Sequence, residues 1–145
     1  MPSWAEFEAA EPEFASRVRA LMTRRKHLTM ATLRQDGSPR ISGTEVQFAD
    51  GQLRIGSMPD AIKARDLIRD ARVAIHGPTS DPPEEDPGGW PGEAKIAGRA
   101  VAQESEEGGH NFVIDLDEAV ITSLDGGLVV ESWNPTRGYR RFVRD

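Results

Sequence analysis

Asp-Gly dipeptides divide much of this chain into short segments in which apolar and polar residues alternate. Glycine adopts the positive φ angles of two-residue hairpin turns, so an Asp-Gly step between alternating segments is a strong hairpin signal. Alternation with a period of two is typical of strands that have one buried face. The dipeptides therefore predict antiparallel hairpins at three places: Asp36-Gly37, Asp50-Gly51 and Asp125-Gly126.

The segment from residue 27 to residue 58 contains two of these turns and predicts a three-stranded antiparallel meander. Its strands are HLTMATLR, RISGTEVQF and QLRIGSM. Further strands are predicted in ARVAIHG, EAKIAGRAVAQE, NFVIDLDEAVITSL and LVVESW, and Gly98 marks a bend or a close backbone approach within one of them. Antiparallel sheets of this size tend to close into a barrel because closure removes exposed edges. The sequence thus predicts a mainly β fold.

Two regions have helical periodicity. In the N-terminal helical segment, 1-26, Phe14, Val18, Leu21 and Met22 recur on one face of a helix. A second helix is predicted from residue 59 to about residue 69, because proline is tolerated in a first turn, where its missing N–H would have had no partner. The length of 145 residues and these elements together predict one domain, 1-145.

Residues 78-92, PTSDPPEEDPGGWPG, are an acidic loop rich in proline and glycine. Such composition excludes regular structure, and a loop of this length inside a compact domain is typically functional or mobile. The sequence leaves open whether the loop closes over a ligand, and Trp90 within it would report such a movement. A shorter acidic break, SEEGG at 105-109, separates two later strands.

The charge balance bears on the partners of the chain. Eighteen Lys and Arg residues against 24 Asp and Glu give a formal net charge of −6, which argues against a nucleic-acid-binding protein because such proteins normally carry a basic face. The chain has no cysteine and no apolar run near the roughly 20 residues of a membrane span. Its acidic N-terminus has no apolar signal core. These features predict a cytoplasmic protein without nucleic-acid or membrane partners.

No catalytic motif is evident in the sequence. The three histidines, His27, His76 and His110, do not have metal-ligand spacing, and neither a nucleophile elbow nor a phosphate-binding glycine loop is present. We therefore assign no catalytic residue and no metal site from the sequence.

Lys63 is the one charged residue that calls for an explanation. A lysine in the first turns of a helix opposes the helix dipole unless an anion lies nearby. Asp60 and Asp66, three residues away on either side, could pair with it. A bound phosphate would equally favour a lysine at this position, because free backbone N–H groups at a helix start bind anions.

The segment TMATLRQDGSPRISGTEVQFADGQLRIGSMPDAIKARDLIRDARVAI, followed by AKIAGRAVA, resembles the pyridoxamine 5′-phosphate oxidase-like family. The resemblance extends from residue 27 to about residue 103. It implies a split β-barrel of the FMN-binding type, a homodimer, and a cofactor groove between the subunits. In this family a flavin or deazaflavin carries the hydride chemistry, and the protein supplies binding, orientation and electrostatics.

The resemblance also implies a set of cofactor-binding residues. Lys63 matches a lysine that binds the cofactor phosphate at the helix start, and Arg40 matches a basic position on the second strand that can reach the same phosphate. An exposed strand arginine is the alternative for Arg40. The remaining contacts would come from two strands, through Ser42, Gly43, Thr44, Ser57 and Met58.

The helix start departs from the family pattern. Many relatives have a Ser-Arg-Lys step where this chain has Ala61, Ile62 and Lys63, and Asp60 adds a negative charge beside it. The cofactor is therefore expected to be FMN or coenzyme F-420, a deazaflavin. The function expected is an oxidoreductase that transfers hydride to or from a small conjugated substrate. A non-catalytic cofactor-binding or sequestering module is the alternative, and a barrel with a decayed site is a third.

Overall fold

A computed structural model of the chain describes residues 2–105 and 108–144. Within these residues, the helices are α1 (Trp4–Ala10), α2 (Pro12–Met22) and α3 (Ile62–Arg69), with a 3₁₀ turn at Pro87–Gly89. The strands are β1 (Leu28–Leu33), β2 (Pro39–Thr44), β3 (Val46–Ala49), β4 (Gln52–Ser57), β5 (Arg72–His76), β6 (Glu93–Gln103), β7 (His110–Leu124), β8 (Leu128–Asn134) and β9 (Gly138–Arg144).

The strands form one antiparallel sheet that curls into a barrel. Its order is β2-β1-β5-β6-β7-β4-β3, and β8 pairs with the far half of β7 while β9 pairs with β8. Strands β2 and β3 lie at the two ends of this path, yet Glu45 alone joins them along the chain. One residue spans only about 3.8 Å, so the two ends of the path must meet. The predicted mainly β barrel is therefore confirmed.

The predicted meander of three strands is wrong. The β1–β2 and β3–β4 hairpins form as expected, but the segment RISGTEVQF is two strands rather than one. Glu45 separates β2 from β3, which lie at opposite ends of the sheet path. Local turn signals do not mark this break, because it is the point at which the barrel closes.

The turns between the strands have the predicted backbone geometry. Asp50 and Gly51 both have positive φ, 55° and 71°, as the hairpin turn that matches strand twist requires. Gly37 and Gly126 have φ of 85° and 69°. At Gly98, where β6 shifts register against β7, a Cβ atom would collide with the carbonyl oxygen of Asp115, so the expected close approach is confirmed.

The N-terminal helices close one end of the barrel. The helical face predicted from Phe14, Val18, Leu21 and Met22 is buried in full. The aromatic ring of Phe7, on α1, lies 4.5 Å from that of Trp133 on β8. The helical segment consists of two helices, and Ser3 caps the first by accepting a hydrogen bond from the Glu6 N–H.

Two boundaries differ from the sequence predictions. Helix α3 begins at Ile62 rather than at residue 59, because Asp60 has a φ of 60°, which is outside the helical region. The C-terminal residues 138–144, which carried no strand signal, form β9 on the edge of the sheet. Among the predicted acidic residues of 105–109, Glu106 and Glu107 lie outside the described residues. The longest described helix has 11 residues, too short to cross a membrane.

Candidate functional site

A pocket of about 410 Å³ opens where the ends of β2 and β4 meet the start of α3. Five of the seven cofactor-binding residues predicted from the sequence line this pocket, and the four other lining residues were not predicted. The predicted ones are Gly43, Thr44, Ser57, Met58 and Lys63; the others are His27, Glu45, Gly56 and Ala61. The fold thus brings most of the predicted site together from three separate elements.

A backbone carbonyl group on β2 holds the Lys63 side chain at the N-terminal end of α3. Its Nζ donates a hydrogen bond to the carbonyl oxygen of Gly43 over 2.7 Å. The carboxylates that the sequence offered as partners are engaged elsewhere: Asp60 lies 3.7 Å from Arg65, and Asp66 lies 2.7 Å from Arg40. An ammonium group has three N–H donors, so two remain for a ligand.

The start of α3 is also open to an anion. No side chain caps the helix at Ala61. The Ala64 N–H donates to the Ala61 carbonyl oxygen over 3.1 Å, but the N–H groups of Ile62 and Lys63 have no acceptor among the described residues. The helix dipole adds partial positive charge at that end. Beneath it, Ala64 and Leu67 anchor the helix in the core. The backbone donors and the Lys63 ammonium therefore lie at the same end of the same helix.

The hydroxyl of Ser57 gives an independent indication of a ligand. Its Oγ is buried and has no hydrogen-bond partner among the described residues. A buried polar group without a partner destabilises the protein, so such groups are rare and call for an explanation. Ser57 lines the same pocket as Lys63. A phosphate oxygen in the pocket would supply the partner, so the residues present fit the phosphate of a flavin-type cofactor.

Arg40 and Ser42 do not line this pocket. Along β2 these residues alternate with Ile41 and Gly43, which point to the outer face of the barrel. The Arg40 Nε donates to Asp66 Oδ2 over 2.7 Å, and the arginine side chain is only 26% exposed. Contact of Arg40 and Ser42 with a cofactor stays a prediction.

Asp66 is the buried centre of a small polar cluster behind α3. Its carboxylate accepts hydrogen bonds from Thr32 Oγ1 at 2.7 Å, from Arg40 Nε at 2.7 Å and from Arg69 Nη2 at 2.9 Å. Burial alone would raise the pKa of Asp66, but the hydrogen bonds from the two arginines and the threonine outweigh it and hold the pKa below its ordinary value. The cluster joins α3 to β1 and β2.

A larger groove of about 850 Å³ continues from the pocket across the outer face of β3, β4 and β7. The groove and the pocket share Glu45, Gly56, Ser57 and Met58. The rest of the groove is lined by apolar residues and by five polar or charged side chains, those of Gln47, Arg54, Gln103, Glu104 and Asn111. A ligand longer than a phosphate group therefore has room beyond the Lys63 pocket.

Sequence reasoning missed Glu45 and His27 for different reasons. Glu45 enters the pocket because the barrel closes at that residue, and no local pattern marks the closure. His27 was considered only as a metal ligand, and it lies at the start of β1 beside the end of β2. Gly56 could have been predicted to line the pocket, because a glycine within a strand indicates close approach of a ligand or of another backbone segment.

The acidic loop is held at its base. Trp90 donates its indole N–H to the carbonyl oxygen of Ser80 over 2.8 Å, and Ser80 Oγ accepts a hydrogen bond from Arg24 over 3.0 Å. These contacts tie both ends of the loop together and to the segment that follows α2. A movement of the loop over a ligand stays a prediction.

Comparison with solved structures identifies the fold. PhzG from Burkholderia lata 383, solved with tetrahydrophenazine-1-carboxylic acid, aligns over 96% of this chain and 91% of its own, with a TM-score of 0.66 and 10% identity. A pyridoxamine 5′-phosphate oxidase-related, FMN-binding protein from Nostoc punctiforme PCC 73102 aligns over 96% and 97%, with a TM-score of 0.61 and 11% identity. An F420 reductase aligns over 70% and 94%, with a TM-score of 0.52 and 13% identity.

No protein-family model matches the sequence, and no curated protein matches it. The structural likeness nevertheless spans almost the full length of the first two proteins. The resemblance predicted from the sequence is confirmed at the level of the fold: this chain is a split β-barrel of the kind found in pyridoxamine 5′-phosphate oxidase-like, FMN-binding proteins.

Proposed function

We propose that this protein binds FMN or coenzyme F-420, with the cofactor phosphate at the start of α3, and acts as an oxidoreductase on a small conjugated substrate. The observation that carries the proposal is the convergence of three kinds of donor on one pocket. These are the Lys63 ammonium, the backbone N–H groups of Ile62 and Lys63, and the unpartnered hydroxyl of Ser57. The likeness to an FMN-binding protein and to an F420 reductase supports the same ligand class.

Each lining residue has a role that follows from its position. Lys63, held by the Gly43 carbonyl, keeps two N–H donors for a phosphate oxygen without having to be ordered on binding. Gly43 and Gly56 have no side chains, which permits a flat ring to approach the backbone. Met58, 78% exposed, can cover an apolar ring.

When bound, a flavin or deazaflavin supplies the hydride chemistry. The protein's own contribution would be to bind the cofactor, to orient it and to keep water away. This division explains why we assign no catalytic side chain from the sequence. The groove along Gln47, Arg54 and Asn111 offers room for the substrate next to the cofactor.

We further propose that the protein is a homodimer. Small apolar residues form a row across the outer face of four neighbouring strands, with Ala31 opposite both Ile41 and Ala74, and Ala74 opposite Ala97. Ile41 is 74% exposed, and a shallow cleft of about 290 Å³ runs beside the three alanines. Gly43 lies on the same face. A second copy packed on this row would cover the apolar side chains and add a wall to the pocket.

Cofactor titration of matched variants tests the proposal. The wild-type protein is titrated with FMN and with coenzyme F-420, and binding is followed by cofactor fluorescence. Lys63→Gln should weaken binding of the preferred cofactor by roughly tenfold or more, because it removes a charged donor to the phosphate. Arg144→Gln, exposed on β9 and away from the pocket, likewise replaces a cation by glutamine and should leave affinity unchanged. Failure of the wild type to bind either cofactor would overturn the proposal.

A non-catalytic cofactor-binding module is the second candidate. The wide exposure of Met58 at the pocket favours it, since hydride chemistry needs a site that excludes water. The two functions differ in turnover. Reduction of a panel of quinone-like acceptors by the protein loaded with reduced cofactor supports the oxidoreductase, whereas tight binding without any turnover supports the module.

A further inference from the structure

The charged groups at the pocket can compensate one negative charge on a ligand rather than two. Within the described part of the chain, the charged residues that line it are the cation Lys63 and the carboxylate Glu45, with His27 as a third, titratable group. The partner of the Lys63 ammonium is an uncharged carbonyl oxygen. The lysine charge is therefore available to compensate an anion.

The neighbouring cations are already paired with carboxylates. Lys26 Nζ lies 3.6 Å from Glu45 Oε1, and Arg65 Nη2 lies 3.7 Å from Asp60 Oδ1. Together with Lys63 these groups are three cations and two carboxylates, so the surroundings of the pocket carry a net charge of one. Arg40, the other basic residue predicted here, is bound to Asp66 outside the pocket.

From this balance we propose that the pocket selects a cofactor whose phosphate is a singly charged diester over one that ends in a doubly charged monoester. The inference rests on the proposed function and names the chemical class of its cofactor. A phosphate monoester carries about −1.5 to −2 at pH 7, because its second pKa is about 6. One ammonium and a helix dipole leave part of that charge uncompensated beside Glu45 and Asp60.

The two cofactors considered above differ in this group. FMN ends in a phosphomonoester, whereas the phosphate of coenzyme F-420 links two organic groups and is a diester. The balance of charge thus favours coenzyme F-420 or another diester-linked flavin. Glu45 and Asp60 become the residues that set the specificity, because each neutralises a nearby cation, Lys26 or Arg65, that would otherwise compensate the second phosphate charge.

A pair of ligands that differ only in phosphate charge tests the inference. FMN and its monomethyl ester carry the same ring and chain, but the ester cannot take a second charge. Riboflavin, which has no phosphate, measures binding of the ring and its sugar chain alone. The same monoester and ester are also prepared with the 8-hydroxy-5-deazaflavin ring, so that the test remains valid if the protein binds only that ring. At pH 7.5 we expect the ester to bind the wild type on the order of fivefold to tenfold more tightly than the monoester.

Neutral variants identify the carboxylates responsible. Glu45→Gln and Asp60→Asn each remove one negative charge while keeping the shape of the side chain, and each should narrow the difference between ester and monoester. Asp125→Asn is the matched control. Asp125 follows the C-terminal end of β7, whereas Ser57 pairs with His110 at the other end of that strand. It should leave the difference unchanged.

Lowering the pH provides a second readout on the unaltered protein. Between pH 7.5 and pH 5.5 the monoester gains a proton, so its affinity should approach that of the ester. The same comparison is made in His27→Gln, because the His27 ring lies 4.0 Å from Glu45 and a charge on it would favour the doubly charged monoester over the ester.

The possible results separate the inference from the proposed function. Tighter binding of the ester, with a ratio that falls in Glu45→Gln or Asp60→Asn, supports the inference. Equal or tighter binding of the monoester to the wild type at pH 7.5 overturns it and leaves the proposed function intact. Absence of binding by every ligand, riboflavin and the deazaflavins included, overturns the proposed function itself. Thermal unfolding of each variant confirms that the changes are not due to loss of the fold.

Discussion

Arg40 on β2 donates its Nε–H to the buried carboxylate of Asp66 on α3, with 2.7 Å between the two atoms. The pair fastens the helix to the edge strand of the barrel path, and Lys63 fastens the same helix to the same strand through the Gly43 carbonyl. The orientation of the α3 start therefore depends on two contacts with β2. The sequence predicted that Arg40 binds the cofactor phosphate directly. In the structure Arg40 instead holds α3, the helix whose start we propose as the phosphate site.

Removal of the Asp66 charge should destabilise the protein. Asp66→Asn replaces an acceptor of three hydrogen bonds by an amide that cannot accept from both arginines. Asp66 is 2% exposed, so we expect the free energy of unfolding to fall by about 2 to 3 kcal/mol. Urea unfolding measures the change. Asp81→Asn, in the exposed loop, should stay within about 0.5 kcal/mol of the wild type; a similar loss in both variants would contradict the role of the cluster.

Stability should also fall in acid because of Asp66. A carboxyl group whose pKa is lowered by folding stabilises the protein above its unfolded pKa, about 3.9, and loses that contribution as the pH falls through its folded pKa. The free energy of unfolding should therefore decrease between about pH 4 and pH 2. Asp70, whose pKa is lowered to about 2 chiefly by the side-chain hydrogen bond from Arg72, acts in the same direction.

The Asp66→Asn variant separates the two contributions. Its free energy of unfolding should depend less steeply on pH below pH 4 than that of the wild type, and the remaining slope belongs to Asp70 and other carboxylates. Urea titrations at pH 7, 4 and 3 give the comparison. Parallel pH curves for the two proteins would show that Asp66 does not contribute.

Ser57→Ala should change stability and affinity in opposite directions. The Ser57 hydroxyl is buried without a partner, so its removal should raise the free energy of unfolding of the cofactor-free protein by about 1 kcal/mol. The same change removes a donor to the phosphate and should weaken cofactor binding by about threefold to tenfold. Thermal unfolding and cofactor titration measure the two effects. Ser42→Ala, outside the pocket, should cost less affinity; equal losses would place Ser42 in the site as the sequence predicted.

A charge on the outer alanine row should separate the proposed dimer. Ala74→Glu places a carboxylate in the middle of the row and should yield a monomer in size-exclusion chromatography with light scattering. Loss of the partner should also weaken cofactor binding, since the second copy is proposed to wall the pocket. Ala9→Glu, exposed on α1, is the matched control and should remain dimeric. A wild-type monomer at micromolar concentration would contradict the dimer.

Features that depend on neighbouring residues could be predicted from the sequence. Each Asp-Gly turn has its glycine at a positive φ, and in the Asp50-Gly51 turn both residues have one. The α2 face is buried because its period fixes which side chains point inward. The close backbone approach at Gly98 could be predicted for the same kind of reason. The close contact with Asp115 leaves no room for a side chain, and a glycine within a strand indicates such a contact.

Features that depend on barrel closure could not be predicted in this way. RISGTEVQF alternates well enough for one strand, and only the meeting of the two sheet ends divides it at Glu45. The pairing of Arg40 with Asp66 joins residues 26 positions apart, and no local pattern links them. The family resemblance carries such long-range information, and five of the seven residues that it implied line one pocket. It did not indicate which side of β2 the Arg40 side chain would take.

The single residue between β2 and β3 limits how a barrel like this one can change. An insertion or deletion at Glu45 would shift one of the two strands by a position, exchange its inner and outer faces and break its register with β1 or with β4. New ligand preferences at this corner must therefore arise by exchange of side chains at constant length. The loop at 78–92, tied at its base by Trp90 and Ser80, is where length itself can vary.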